Sequence, residues 1–593
     1  MKVWPGTRRD QRSRSALGEG SPRGAPGANS FRWRANFVLA LLMCGAMGLV
    51  WRAVELQLKD HKFLAGQGDA RFSRVAEITS TRGTITDRYG EPLAVSTPVD
   101  SVWANPKELA LASDQLPRLA KALKRDKNEL ARRVTSNLDR EFLYLARHMQ
   151  PADAQKIRAL EIPGVYLMRE YRRFYPAGEV AGHIIGFTSV DDEGQEGLEL
   201  AFDHWLAGED GAKRVIQDRY GKIVQNVEEI RAMRPGRNLV LSVDLRIQYL
   251  AYRELKAAIR DQRAKSGSVI VLDVATGEVL AMVNQPAYNP NDRDQVAASR
   301  YRNRAATDIY EPGSAIKPFI AAAGIASGRY HPDTIIDTSP GFVQVGIKKI
   351  PDHNNLGAIS LTTVLAKSSN VGMTKMAMTL PPQSMYEMLR AFGFGEVTGS
   401  GFPGESAGLL YDVSHWRKIE QATISYGYGL SVTPLQLARA YAILGAGGVR
   451  RPVTLRRIEG PVPGERVVDE RVARELLRMM ESVVSEQGGT GYRAALVGYR
   501  VAGKTGTAWT ADAGGYSSDR YKASFGGVVP ASHPRLAAIV VIDEPGGKLV
   551  YGGDVAAPVF ANVMAGALRL LGVPPDGLDR VPATTLVQAS RVP

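Results

Sequence analysis

The first sustained pattern along the chain is an unbroken apolar run from Phe37 to Trp51, inside "FRWRANFVLALLMCGAMGLVWRAVELQL". From Ala35 to Val54 the stretch is 20 residues long, which is roughly 30 Å of helix and enough to cross a bilayer. The pattern predicts a transmembrane signal-anchor helix over 35–58. Arg52 can snorkel from its end, and Trp33 and Trp51 suit the two interfaces. Past residue 59 the pattern turns mixed. "RGTITDRYGEPLAVSTPVDSVWANP" (82–106) alternates short strand-like runs with Gly and Pro turns. "DQLPRLAKALKRDKNELARRV" (114–134) reads as helical pieces with charged outer faces. From "GRNLVLSVD" (236–244) the style changes again. A strand leads into a helix with apolar spacing of three and four over "LRIQYLAYRELKAAIRDQRAK". "SGSVIVLDVATGEVLAMV" (266–283) then predicts two strands joined at Thr276-Gly277. Helical segments fill the middle, and "KTGTAWT", "KASFGGVVP" and "RLAAIVVIDEP" read as three more strands. Strands at both ends of a helical middle predict an α+β domain built on one antiparallel sheet. The expected organisation is therefore a disordered tail (1–34), the anchor (35–58), a mixed α/β pedestal (59–235), the α+β domain (236–575) and a weakly patterned tail (576–593).

Charge refines this picture. Of a formal net charge of +14 over 593 residues, eight Lys and Arg against Asp10 and Glu19 lie in residues 1–34. Basic residues ahead of an apolar run keep the N-terminus cytoplasmic and send the rest across. Anionic lipid headgroups are the simplest partner for that tail. A nucleic-acid partner would call for a basic face with stacking aromatics or a recognised module, and neither is found. A cleaved signal peptide is disfavoured because the helical pattern continues past the run and no A-x-A site follows it. "LLMC" faintly suggests a lipoprotein signal, but Met43 is the wrong size before that cysteine. Cys44 is the single cysteine, so neither an internal disulfide nor a thiolate cluster can form. The eight histidines are scattered, and no metal or cofactor is expected.

The candidate chemistry begins at "DIYEPGSAIKPF" (308–319), where Ser314 stands three residues before Lys317. Such a pair shares one helix face, and a helix N-terminus offers free N–H groups that favour an oxyanion. Read as plain structure, Ser314 would simply cap a helix whose first turn holds Pro318. For Lys317 to act as a base its pKa must fall from about 10.4 to about 7, which takes roughly 4–5 kcal/mol against the charged form. Burial and a second nearby cation can supply that. "KSSNVG" (367–372) offers Ser368 as a proton relay and Asn370 to hold Lys317 and a substrate amide. "GKTGTA" (503–508) places Lys504 on a strand. Gly506 would let a peptide approach the backbone, and Lys504, Thr505 and Thr507 could bind a terminal carboxylate. Each motif alone is weak. Together, and in this order within one α+β region, they carry the signature of penicillin-binding proteins and serine β-lactamases. Ser-Ser-Asn in the middle, and the lack of an obvious E-x-x-L-N, argue against a class A β-lactamase.

Beyond these motifs, "RGTITDRYGEPLAVSTPV", "GQEGLE", "EPGSAIKPF", "YGYGLSVTPLQLARAYA", "GKTGTA" and "YGGDVAAPVF" resemble the class B penicillin-binding proteins, most of all their septal, cell-division members. The resemblance covers nearly everything after residue 35. It implies a C-terminal serine D,D-transpeptidase domain on a non-catalytic pedestal, held in the inner membrane by one helix with the catalytic part periplasmic. It further implies that Ser314 attacks the penultimate D-alanyl carbonyl of a peptidoglycan stem peptide with Lys317 as base. Ser368, Asn370 and Lys504 would shuttle protons and orient groups. The backbone N–H groups of Ser314 and Thr507 would form the oxyanion hole, and β-lactams would acylate Ser314. Glu196 and Glu199, three apart, could suggest a glycosidase pair, but a structural role in the pedestal is expected. Glycan polymerisation would then fall to a polytopic glycosyltransferase of the division machinery. The competing readings are an elongation-specific relative, a hydrolytic β-lactamase or carboxypeptidase, and a non-catalytic penicillin-binding sensor or scaffold.

Overall fold

The computed structural model describes residues 28–59, 73–217, 223–294, 296–460, 462–485, 488–512 and 515–578. The expected tail up to residue 27 and the chain from 579 onward lie outside the described residues. The described chain divides into two compact units, one up to residue 76 together with 214–228, the other comprising the rest. The first contains helix α1 (Ala28–Val54) and the greater part of a three-stranded sheet of Ser73–Ile78, Gly211–Gln217 and Ile223–Arg231, in that order. Among the described residues α1 is the one helix long and apolar enough to cross a membrane. It starts at Ala28, inside the stretch expected to be disordered, because nothing between Ala28 and Arg34 breaks a helix already nucleated by the apolar run. It runs into a π-helical turn, Glu55–Lys59, and Arg52 donates to Glu55 at 2.7 Å.

The second unit begins with the pedestal. Strands β1 (Ile85–Thr86), β2 (Pro92–Ala104), β3 (Leu143–Met149), β4 (Val165–Phe174) and β5 (Leu239–Val240) form one sheet in the order β5-β1-β2-β3, with β4 also paired to β2. β5 pairs in parallel with β1. The strand expected to open the second domain at 236 therefore completes the pedestal sheet instead, since its two residues find their ladder partners 154 positions earlier. Beside this sheet lies a buried ionic knot. Glu199 is fully buried and accepts from Arg82 Nε and Arg173 Nε, each at 2.6 Å. Arg82 also donates to Asp203 at 2.7 Å, and Arg173 to the Gly83 carbonyl at 2.8 Å. A carboxylate clamped between two guanidiniums is an architectural group, and this explains why Glu199 belongs in the pedestal.

The catalytic half is organised by α2 (Leu245–Asp261), β6 (Ser266–Asp273), β7 (Val279–Gln285), α3 (Lys317–Ala326), β8 (Phe342–Val345), β9 (Lys348–Pro351), α4 (Asn370–Ala377), α5 (Pro434–Gly445), α6 (Glu470–Ser485), β10 (Ala502–Asp512), β11 (Gly515–Val529), β12 (Leu536–Asp543) and α7 (Ala557–Leu570). The Asp244 carboxylate caps α2 by accepting from Arg246 N. Ile247, Ala251 and Leu255 then fall on one buried stripe. The main sheet runs β7-β6-β12-β11-β10, antiparallel throughout. Val269 and Val271 pack into one core with α2 and α7, while Ile270 and Leu272 pack into another with α3, α5 and α6. Helices on both faces explain why these strands read as continuous apolar runs rather than alternating ones. β10 and β11 form a hairpin longer than expected, with Asp512 paired to Gly515. Its polar stretch Ser517–Arg520 carries no strand pattern and falls at a register shift, between the pairs Ala511–Tyr516 and Trp509–Tyr521. At the other end, Asp576 accepts from Arg500 N at 2.7 Å and Ser532 Oγ at 2.6 Å, so the folded part passes the expected limit at 575.

Candidate active site

Four segments converge at the open edge of β10. The first is the entry to α3. Gly313 takes a positive φ of 53° and its N–H donates to the Gly427 carbonyl at 3.1 Å. A tight 3₁₀ turn, Gly313–Ile316, then feeds α3. Pro318 sits in the first helical turn, where a missing N–H costs nothing. Ser314 caps neither the turn nor the helix, so its hydroxyl is not committed to a helix end. Phe319, Ile320 and Ile325 are fully buried, so α3 is held through the core and the turn before it is fixed in place.

The second segment is the Ser-Ser-Asn stretch, and it divides its labour. Ser369 is the N-cap of α4, accepting from Gly372 N at 2.8 Å. Ser368, just before it, takes a left-handed φ of 59°. That conformation is costly for a residue with a Cβ. It turns both the carbonyl and the hydroxyl of Ser368 toward Lys317, whose Nζ donates to Ser368 O at 2.6 Å, Ser368 Oγ at 3.2 Å and Asn370 Oδ1 at 2.7 Å. Lys504 on β10 completes the group, its Nζ lying 3.0 Å from the same Ser368 Oγ and 3.0 Å from Thr505 O. The Ser368 hydroxyl thus bridges two amines. Both lysines are fully buried. Burial pushes Lys317 down to about 7 against the opposing pull of Asp352. Burial and the neighbouring Lys317 hold Lys504 well below the ordinary lysine range. Two ammonium ions cannot share one hydroxyl in a dry site, so the pair is built to carry less than two charges.

The third segment is β10 itself. Trp509 N donates to the Tyr428 hydroxyl, off the open edge of the sheet, at 3.2 Å. Residues two apart on a strand present their amides to the same side, so the N–H groups of Thr505 and Thr507 face that edge too. Their hydroxyls are engaged: Thr505 Oγ1 donates to Thr490 Oγ1 at 2.9 Å, and Thr507 Oγ1 accepts from Gly552 N at 3.1 Å. Gly506 has a reason to be glycine within the fold itself. A Cβ there would stand 2.3 Å from Ser524 Oγ and 2.9 Å from the Pro312 carbonyl. The crowding comes from the protein beneath, including the segment that leads to Ser314.

The fourth segment was invisible in the motifs. Asp352, at the end of hairpin β8–β9, accepts from Ser369 Oγ and Asn370 N at 2.5 Å each and from Val371 N at 3.0 Å. It caps α4 from outside the helix and is the anion acting on Lys317. The only sequence signal for it is chemical: two buried lysines call for a nearby carboxylate, and no spacing identifies which one.

The model of the penicillin-binding protein transpeptidase domain matches residues 267–565, and that of the penicillin-binding protein dimerisation domain matches 77–241. The chain is 42% identical over 556 residues to the peptidoglycan D,D-transpeptidase FtsI of Escherichia coli K12, covering 93% of this chain and 94% of that one. It is similar to the solved transpeptidase domain of penicillin-binding protein 3 from Burkholderia pseudomallei, with 43% identity, a TM-score of 0.53, and 57% of this chain and 97% of that one covered. It is also similar to penicillin-binding protein 3 of Mycobacterium tuberculosis complexed with aztreonam, with 28% identity, a TM-score of 0.66, and 84% and 98% covered. On these matches and on the two-lysine site, the chain belongs to the class B penicillin-binding proteins.

Proposed function

We propose that this protein is the septal peptidoglycan D,D-transpeptidase of its cell, a serine enzyme that cross-links stem peptides and is a target of β-lactams. The observation that carries the reading is the Ser368 hydroxyl bridging two buried lysines beside the turn that bears Ser314. The reaction runs in two halves. Ser314 Oγ attacks the penultimate D-alanyl carbonyl and its proton passes to neutral Lys317. The Ser314 and Thr507 N–H groups hold the oxyanion. Collapse breaks the peptide bond, and a proton relayed through Ser368 leaves with the terminal D-alanine. An amine of a neighbouring stem then attacks the acyl ester, gives its proton back through the same relay, and releases Ser314. Asn370 and Lys504 hold Lys317 and Ser368 in register. Lys504, Thr505, Gly506 and Thr507 line the edge on which the D-Ala-D-Ala end is laid as an added strand.

Among its described residues the pedestal, whose sheet is completed by Leu239–Val240, holds no catalytic pair. Its acidic candidate Glu199 is locked by Arg82 and Arg173, so chain polymerisation belongs to a polytopic glycosyltransferase partner. The basic N-terminus stays in the cytoplasm, α1 crosses the inner membrane and touches lipid, and the catalytic unit works outside at the division site. The decisive experiment is intact-protein mass after incubation with a penicillin. A long-lived adduct on wild type and none on Ser314→Ala is expected. Consumed drug without an adduct means hydrolysis, as in a β-lactamase or carboxypeptidase. No adduct and intact drug on folded protein leaves only a scaffold.

A further inference from the structure

Away from the catalytic edge, two guanidiniums share the wall of one small cavity against α5. Arg439 lies on α5 itself, and Arg451 follows the short strand Val449–Arg450. The Nε of each is buried with no acceptor in hydrogen-bond range. Arg439 is 5% exposed. Its other nitrogens are engaged, Nη2 donating to the Gly393 carbonyl and Nη1 to the Val397 carbonyl at 3.2 Å. Arg451 Nη1 reaches the Val274 carbonyl at 3.5 Å. Negative charge nearby falls short of the positive. Glu396 lies 3.7 Å from Arg439, 3.0 Å from Arg450 and 3.5 Å from Arg390. Arg450 also pairs with Glu465 at 2.7 Å. Glu405 acts on Arg439 only from farther away, and Thr398 and Ser400 already donate to its two oxygens. Four guanidiniums thus face three carboxylates, in a place where burial pushes Arg439 down to about 10.

Size and polarity select what the cavity can hold. It offers about 10 Å³ to the centre of a water-sized sphere, which is room for one compact species. A molecule that carries a carboxylate or a phosphate does not fit. Apart from the two arginines, its wall is Gly277 and aliphatic side chains, among them Leu272, Val274, Ala442 and Ile443. No side chain of that wall can accept a hydrogen bond. A water would bring two hydrogens that no side chain there receives. A monatomic anion needs donors only, lies easily against aliphatic groups, and balances the surplus charge. We propose that the Nε–H groups of Arg439 and Arg451 hold a chloride ion in this cavity. The ion ties the segment after Val449–Arg450 to α5. Tyr441, two residues past Arg439 on that helix, donates to the Ala315 carbonyl at 3.0 Å, so the ion also steadies the seat of the turn that bears Ser314. The site stands or falls independently of the transpeptidase reading.

The test uses the full-length protein in detergent, dialysed into sodium gluconate and titrated with sodium chloride at constant ionic strength. A ligand of the folded state raises the melting temperature once it exceeds its dissociation constant, and then logarithmically. Wild type should gain about 3 °C by about 0.2 M chloride, and sodium bromide should do the same. Arg451→Met removes one donor and its charge and should lose the gain. Ala442→Val keeps both arginines and fills the cavity, so it should lose the gain too, even if Arg451→Met folds poorly. Crystals grown in sodium bromide and measured at the bromine absorption edge should show an anomalous peak in contact with both Nε atoms. An unchanged melting temperature in wild type, a gain that is linear in chloride, a gain that survives in either folded variant, or the lack of a bromide peak between the two arginines overturns the site and leaves a water as its occupant.

Discussion

Replacing Asp352 by Asn should move the pH dependence of Ser314 acylation toward acid. On the proposed mechanism Lys317 must be neutral to accept the serine proton, and burial sets its pKa near 7 while Asp352 pulls it upward. In wild type the acylation rate by a penicillin should therefore rise with pH, about tenfold between pH 6 and pH 8. Asparagine removes the negative charge but keeps an oxygen for the Asn370 and Val371 N–H groups. Its amide can turn a donor to the Ser369 hydroxyl. The carboxylate reaches Lys317 across one residue, since Asn370 accepts from Lys317 at 2.7 Å and donates its own N–H to Asp352 at 2.5 Å. A unit charge at ~6 Å in an effective dielectric of ~40 is worth about 1.4 kcal/mol, or one pH unit. The midpoint should fall from about 7 to about 6, and the variant should outpace wild type about fivefold at pH 6. The assay is stopped-flow or quenched acylation across pH 5.5–9, scored by intact mass. A midpoint that stays put or moves upward would refute either the role of Lys317 as base or its coupling to Asp352.

Other outcomes follow from the same geometry. Lys317→Met should abolish the penicillin adduct yet raise the melting temperature at pH 7. A lysine held at about 7 instead of 10.5 costs the folded state about 4 kcal/mol there, partly offset by the three hydrogen bonds it makes. Because this cost grows as pH falls from 10.5 to 7, the gain in the variant should shrink as pH is raised; a lower melting temperature at neutral pH would contradict this account. Gly506→Ala should slow acylation ten- to hundredfold, since its Cβ would press on Ser524 and on the Pro312 carbonyl that leads to Ser314. Ser524→Gly in the same chain should recover part of the rate, and an unchanged single variant would contradict the packing. Glu199→Gln should destabilise the pedestal by about 3–5 kcal/mol, because two buried guanidiniums lose their shared countercharge; calorimetry showing no loss would make the knot ornamental.

Much of the site could be read from spacing, because its chemistry is written in short local motifs. Ser314 and Lys317 share one turn, Ser368 and Asn370 flank a helix cap, and Lys504 rides an apolar strand. What spacing could not supply lies across long loops. Asp352 is 35 residues past Lys317 in the chain, in a polar stretch without periodicity, and gains its role only when β8–β9 folds back on α4. Within Ser-Ser-Asn the motif offered Ser368 as a relay, but that Ser369 is the helix cap shows only in the left-handed turn at Ser368. The domain limits blurred for a related reason. A two-residue strand such as Leu239–Val240 carries no pattern of its own and takes its place from Ile85 and Thr86.

The order of strands in the main sheet bears on how the protein comes into being. β12, which separates β6 from β11, is the last strand of that sheet to be synthesised. Until residue 543 has emerged, β6 and β7 are a lone hairpin and the helical middle has no complete sheet to pack against. Lys504 reaches Ser368 only once that centre is filled. An emerging chain is thus inert until almost all of it has been made, and for that time it exposes apolar faces that later become core. Such a protein needs escort while it is being made, and any truncation ahead of β12 should yield aggregated protein, not a partial enzyme.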